Sequence, residues 1–146
     1  MRMTLHTDYA LRMLIYVAIR QDQSCTVGDV AEAYGLSRNH LLKVALTLRK
    51  LGLIETMRGR AGGIRLAKAP RKINIGALVR STEEDFALVE CMQGGGCVIS
   101  PACRLKCMFG EALAAYLAVF DKYTLADVIG DRGVLRTLLD IDLRAA

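Results

Sequence analysis

The sequence predicts a mainly α chain, a winged helix-turn-helix with a small two-stranded wing, plus a long helix suited to dimerisation. Three observations predict it. Two short amphipathic helical patterns flank Gly35-Leu36-Ser37, the spacing of a helix-turn-helix. A hairpin pattern with a glycine-rich tip follows the second of them at once. A dense field of one charge sign covers the same stretch. The 146 residues are 53% hydrophobic and 24% charged, a globular balance that excludes a disordered chain. No apolar run approaches the roughly 18 residues that cross a bilayer, the longest being Ala112 to Phe120. The N-terminus reaches Arg12 before any long apolar stretch and shows no small-residue cleavage site. A cytoplasmic protein without a membrane partner is therefore expected.

The elements follow in order. Thr7 is placed as the cap of a first helix, with Asp8 in its first turn and Leu11, Leu14, Ile15 and Ala18 recurring at helical spacing. Thr26 followed by Asp29 reads as a capping box for a second helix, which Gly35 ends by tolerating positive φ. Ser37 caps a third, whose broad buried face is expected from Leu41, Leu42, Val44, Ala45, Leu48 and Leu51 before Gly52 stops it. Leu53 to Met57 and Ile64 to Leu66 read as the wing strands, with Arg58, Arg60 and Gly62-Gly63 at the tip. Pro70 marks a linker and Ile73 to Thr82 a further helix. Cys91 to Ser100 lacks periodicity, contains three consecutive glycines and reads as a loop. Pro101 suits the first turn of a long helix, and the apolar stripe of Leu105, Phe109, Ala112, Leu113, Tyr116, Val119 and Phe120 is too wide for one small neighbour. A dimer seam is the simplest use of it, an ordinary core helix the alternative. Thr124 starts a short segment through Ile129, and Val134 to Leu143 a last helix. This divides the chain into a DNA-binding domain over 1–82 and a region holding the cysteine loop and dimerisation helix over 83–146.

The net charge of +5 is unevenly spread. Residues 1–73 carry 13 Lys/Arg against 5 Asp/Glu, whereas residues 74–146 carry 7 against 10. Residues 38–72 hold ten basic side chains and one acid, Glu55. Such a field suits a polyanion, with a solvated surface kept for solubility as the bland alternative. On the helix-turn-helix reading, Ser37, Arg38, Asn39, His40 and Lys43 occupy the early turns of the recognition helix, where side chains reach base edges or phosphates. Arg60 is placed for minor-groove insertion, Arg58 and Arg65 for phosphates. No nucleophile–base pair or phosphate-binding glycine loop is evident, so an enzyme is not expected.

Four of the five cysteines, Cys91, Cys97, Cys103 and Cys107, fall within 17 residues, separated by five, five and three residues. A reducing compartment and an odd count argue against a disulfide framework. Gathered thiolates suit a soft metal centre, and the spacing is not that of paired zinc ligands. Buried thiols acting as small hydrophobes, or a thiol redox switch, are the competing readings. Cys103 and Cys107, four apart, are expected on one helical face. Cys25 stands alone and reads as structural.

Several motifs in order resemble one family: Thr7-Asp8-Tyr9-Ala10-Leu11-Arg12, Tyr34 to His40, Arg58-Gly59 with Gly62 to Leu66, Pro101 to Lys106, and Tyr123 to Asp127. The chain resembles the NsrR-like nitric-oxide-sensing repressors among the Rrf-type winged-helix regulators, which also include IscR-like members. The resemblance implies a homodimer binding a near-palindromic double-stranded DNA operator and releasing it in response to nitric oxide. It further implies an iron–sulfur cluster, [4Fe–4S] rather than [2Fe–2S], held by the cysteines matching Cys91, Cys97 and Cys103. An aspartate from the other subunit, matching Asp8, can complete the coordination. By itself Asp8 reads as a helix-start charge favoured by the macrodipole. Cys107 and His6 are rival fourth ligands, and Lys106 and Cys107 stand where IscR-like members carry a histidine. Arg12, one turn after Asp8, is expected either to couple that ligand to the DNA-binding helices or simply to pair with it. Regulators of iron–sulfur or iron status, and a cluster-free thiol switch, are the alternative functions.

Overall fold

The computed structural model describes residues 2–20, 24–57 and 62–141. Helix α1, Leu5–Ile19, is the centre of the molecule, with Met13, Leu14 and Tyr16 fully buried. Its cap is Thr4, whose Oγ1 accepts the Thr7 N–H at 3.3 Å. The sequence places the cap at Thr7, one turn too late. That hydroxyl is instead buried and donates to Thr82 Oγ1 at 2.9 Å.

Helix α2, Val27–Tyr34, opens on the expected reciprocal box: Asp29 N–H donates to Thr26 Oγ1 at 3.1 Å, and Thr26 N–H to Asp29 Oδ2 at 2.7 Å. Gly35 closes it at φ +62°, a conformation that an L side chain would strain. Helix α3, Arg38–Lys50, is capped by Ser37 and buries Leu41, Val44 and Leu48 against α1 and α2. Leu42 departs from the expected buried face and is 48% exposed. One residue's advance turns a helix by about 100°, which swings it off the stripe set by its neighbours.

Strands β1, Ile54–Met57, and β2, Gly63–Leu66, pair antiparallel with Glu55 opposite Arg65. Ile54 and Ile64 point inward as Glu55 and Arg65 point out. Cys25 lengthens this sheet by one bridge, its carbonyl accepting the Ile64 N–H at 2.7 Å. Gly63 is required by that approach, since a Cβ there would lie 2.6 Å from the Cys25 oxygen. The predicted wing tip, with Arg58 and Arg60, lies outside the described residues.

Pro70 is buried and opens a 3₁₀ turn, Pro70–Lys72, rather than a loose linker. Helix α4 is shorter than expected, Ile75–Thr82, because Asn74 caps it by accepting the Ala77 N–H at 2.9 Å. Helix α5, Leu105–Asp121, starts four residues beyond Pro101. Successive turns, Ser100 N–H to Cys97 O and Ala102 N–H to Ile99 O, occupy the segment expected to begin it. Cys103 therefore precedes the helix, and the shared helical face expected with Cys107 does not form. The C-terminal end of α5 is fixed to α4: Arg80 grips Asp121 at 2.5 and 2.9 Å directly above Gly76, where a Cβ would collide with the carboxylate. Leu117 and Phe120 are the α5 residues that pack on the core.

Helix α6, Leu125–Ile129, opens on a Thr124–Asp127 box. Helix α7, Arg132–Leu138, begins two residues before the expected start because Asp131 caps it, and the expected end at Leu143 lies outside the described residues. Leu125, Ile129 and Ile141 are buried in the same core as α1, so the end of the described chain returns to its first half.

Candidate nucleic-acid interface and cysteine loop

The turn between α2 and α3 is held by Leu36 N–H to Ala31 O at 2.8 Å and by the Ser37 cap. It leaves Ser37, Arg38, Asn39 and Lys43 exposed at the start of α3. Leu42 and Leu46, 48% and 46% exposed, continue the same face. Apolar periodicity counts a leucine such as Leu42 toward the core whether or not anything covers it, and Leu46 falls outside the expected buried face altogether. His40 is placed differently from its neighbours. Its ring stands edge-on to Tyr9 with centroids 4.8 Å apart, 6.4 Å from the ring of His6. His6 Nε2 lies 3.2 Å from Thr47 Oγ1. Both histidines therefore join α1 to α3. On the wing, Arg65 Nε donates to Glu55 Oε1 at 2.5 Å, with both side chains about half exposed.

The cysteine loop begins just beyond the end of α4, where Glu83 Oε1 accepts both Thr4 N–H at 2.9 Å and Thr4 Oγ1–H at 3.1 Å. Asp85 holds the next stretch by accepting the Ala87 N–H at 2.7 Å and the Gln93 side chain. Two of the three consecutive acids Glu83, Glu84 and Asp85 thus have structural partners. Cys91 sits half-buried in a 3₁₀ turn, Glu90–Gln93, and Gly94 at φ +89° reverses the chain after it. Gly95 is equally specified, because a Cβ there would be 2.9 Å from the Glu90 oxygen. Cys97 is exposed, Cys103 half-buried, and Cys107 exposed in the first turn of α5. None of the five cysteines is paired in a disulfide, and among the described residues no three His, Cys, Asp or Glu side chains stand together as a metal site. The donors nonetheless suit an iron–sulfur cluster. Three thiols lie on one partly exposed segment in which no residue from 83 to 104 is buried, and glycines turn the chain between the first two.

Asp8 is paired: Arg12 Nε reaches Oδ1 at 3.0 Å and Nη2 reaches Oδ2 at 2.9 Å. The same guanidinium stands 5.9 Å from the centre of the Tyr34 ring, at the end of α2. Burial pushes the Tyr34 phenol up to about 12. Its ring meets Tyr16 edge-on at 6.4 Å. Asp8, Arg12 and Tyr34 thus form a continuous line from α1 into the helix-turn-helix. The four-residue spacing predicted the pairing of Arg12 with Asp8, whereas the contact with Tyr34 carried no signal because it is tertiary. Cys25 is 1% exposed, and burial pushes its thiol up to about 12.

The family described as Rrf2, iron-dependent transcriptional regulator, matches residues 3–131. The chain is 50% identical over 142 residues to the HTH-type transcriptional regulator NsrR of Bacillus licheniformis, covering 95% of this chain and 99% of that protein. It is 50% identical over 142 residues to the NsrR of Bacillus subtilis, with 95% of each chain covered. Among solved structures it resembles T. potens IscR, with TM-score 0.73 and 25% identity over 90% of this chain and 88% of that one. The oxidised form of Staphylococcus aureus CymR superimposes with TM-score 0.71 and 26% identity, covering 89% of this chain and 97% of the other. These relatives regulate transcription and are not enzymes, and no helix among the described residues is long and apolar enough to cross a membrane. The chain belongs to the Rrf2 family of winged-helix transcriptional regulators.

Proposed function

We propose that the chain is an iron–sulfur-dependent repressor that senses nitric oxide and then releases its operator. The observation that carries this reading is the near-full-length identity to regulators named NsrR, in a chain whose loop presents Cys91, Cys97 and Cys103. Those three thiolates would hold the cluster, [4Fe–4S] rather than [2Fe–2S], and Asp8 of a second copy would supply the remaining ligand. A cluster bound there supplies iron accessible to nitric oxide, a carboxylate being a hard and weak donor to it. The residues of this chain carry the rest. Asp8 is bound to Arg12 in the single chain, so ligation and the ion pair compete for one carboxylate. Arg12 also lies against Tyr34, and its position reports to α2 which state Asp8 is in.

A homodimer is supported by α5, where none of the 17 residues is buried and Leu105, Met108 and Val119 are about half exposed. A symmetric dimer reads a near-palindromic duplex with half-sites about one DNA turn apart. In each half-site Arg38, Asn39 and Lys43 present donors, and Leu42 and Leu46 offer apolar surface of the kind that meets thymine methyl groups. Anaerobic protein should show a visible iron–sulfur spectrum with matching iron and sulfide, and added nitric oxide should remove colour and DNA binding together. Colourless, zinc-loaded protein would overturn the proposal, and colour loss without DNA release would make the cluster serve another signal.

A further inference from the structure

The acid on the wing calls for an explanation that stability does not supply. Glu55 is the one Asp or Glu between residues 38 and 72, among ten Lys and Arg. It lies directly across the hairpin from Arg65 on the outward face, and its carboxylate takes the Arg65 Nε–H at 2.5 Å. Both side chains are about half exposed, at 48% and 59%, and an ion pair so solvated contributes little to folding. The hairpin has other anchors: Ile54 and Ile64 are buried beneath it, and Cys25 pairs with its second strand. Against a polyanion, a carboxylate on this surface both repels phosphate and neutralises the nearest guanidinium.

We propose that Glu55 is a specificity-determining residue that holds Arg65 back from the DNA backbone. The inference rests on the DNA-binding reading and deepens it. Phosphate contacts drive binding to any duplex, whereas base contacts distinguish one site from another. An arginine restrained by an acid adds little to indiscriminate binding, so a larger share of the affinity comes from the face of α3. Arg65, expected from the sequence to lie on phosphate, becomes instead a charge released only where the duplex displaces Glu55.

The test is a double-mutant cycle on full-length protein isolated anaerobically with its cofactor in place: wild type, Glu55→Gln, Arg65→Gln and the double variant, titrated with a random-sequence duplex over a range of salt. With Arg65 present, Glu55→Gln should tighten binding about three- to tenfold at low salt and steepen the dependence of log K on log salt by about 0.9. In the Arg65→Gln background the same substitution should leave that slope unchanged. An equal gain in both backgrounds would mean simple repulsion and overturn the proposal. A loss of affinity on Glu55→Gln would overturn it too, by showing that the acid aims Arg65 at the phosphates. Wild-type protein that ignores duplex DNA at low salt would bring down the DNA-binding reading itself, an outcome distinct from either.

Discussion

Helices α1 and α5 are of similar length, and both are rich in apolar residues, yet they are used in opposite ways. Eight of the 15 residues of α1 are buried, whereas none of the 17 in α5 is. α1 is enclosed by α3, α4, α6 and the wing, all from its own chain. α5 is fastened at its C-terminal end by Asp121, Leu117 and Phe120 and presents its cysteine-proximal turns to solvent. A chain does not ordinarily leave so much apolar helix uncovered without a use for it. The contrast separates a reading head that completes its own core from an arm whose partners, on the reading proposed above, are a cofactor and a second copy.

The largest expected effect breaks the first side of this contrast. Leu41→Ala removes a fully buried side chain between α3 and α1 and should cost about 2–5 kcal/mol in urea denaturation. Leu105→Ser on α5 should instead change unfolding of the isolated chain by under about 0.5 kcal/mol and weaken self-association in sedimentation equilibrium. If both substitutions unfold the chain alike, α5 belongs to the core and the contrast fails.

The two regions were unequally legible in the sequence for the same physical reason. The head is written in local rules: the Thr26–Asp29 box, Gly35 at positive φ, the Ser37 cap and the alternation of Ile54 with Glu55 each depend on residues a few positions apart. At Thr7 and Gly63 a distant neighbour decided the outcome. Thr7 gave up the cap because Thr82 takes its hydroxyl, and Gly63, expected at the wing tip, is a strand residue fixed by the approach of the Cys25 carbonyl. In the arm the cysteines and glycines were legible as a group, but the start of α5 was not, since successive turns compete with Pro101 as a helix start. Of the candidate site, the pairing of Arg12 with Asp8 could be read from their spacing, whereas Asp8 as a cluster ligand was implied only by the family resemblance. The Tyr34 contact and the Glu55–Arg65 pair needed coordinates.

The line from Asp8 through Arg12 to Tyr34 is where head and arm would communicate, so cutting it sharpens the comparison. Arg12→Ala should leave the cluster spectrum intact while weakening the nitric-oxide response of DNA binding, a loss on the order of 1–3 kcal/mol of coupling. The measurement is operator affinity before and after nitric oxide, in wild type and variant. The exposed Asp8–Arg12 pair contributes little to folding by itself, so a changed response at unchanged stability marks coupling rather than damage. An unchanged response would reject the route and leave Arg12 as a surface ion-pair partner.

The smallest effect is nil at neutral pH and concerns the cysteines themselves. Cys107, exposed in the arm, should alkylate readily in native protein, and Cys97 once the cluster is stripped, while Cys25, 1% exposed in the head, should resist until the chain unfolds. Burial raises the Cys25 thiol from its ordinary 9.0 to about 12, so between those values the unfolded chain loses a proton that the folded chain keeps. Its contribution to stability is therefore complete below pH 9 and declines as pH climbs toward 12, by up to about 1.4 kcal/mol for each unit. Tyr34, raised from 10.0 to about 12, adds a decline of the same sign over the upper part of that range. Cys25→Ala removes the thiol's share alone. The difference in urea midpoint between variant and wild type should shrink from pH 8 to pH 10 as the wild type loses its advantage. A constant difference across that range would mean the thiol is not protected by the head, and the division between a sealed core and an open arm would have to be redrawn at the wing.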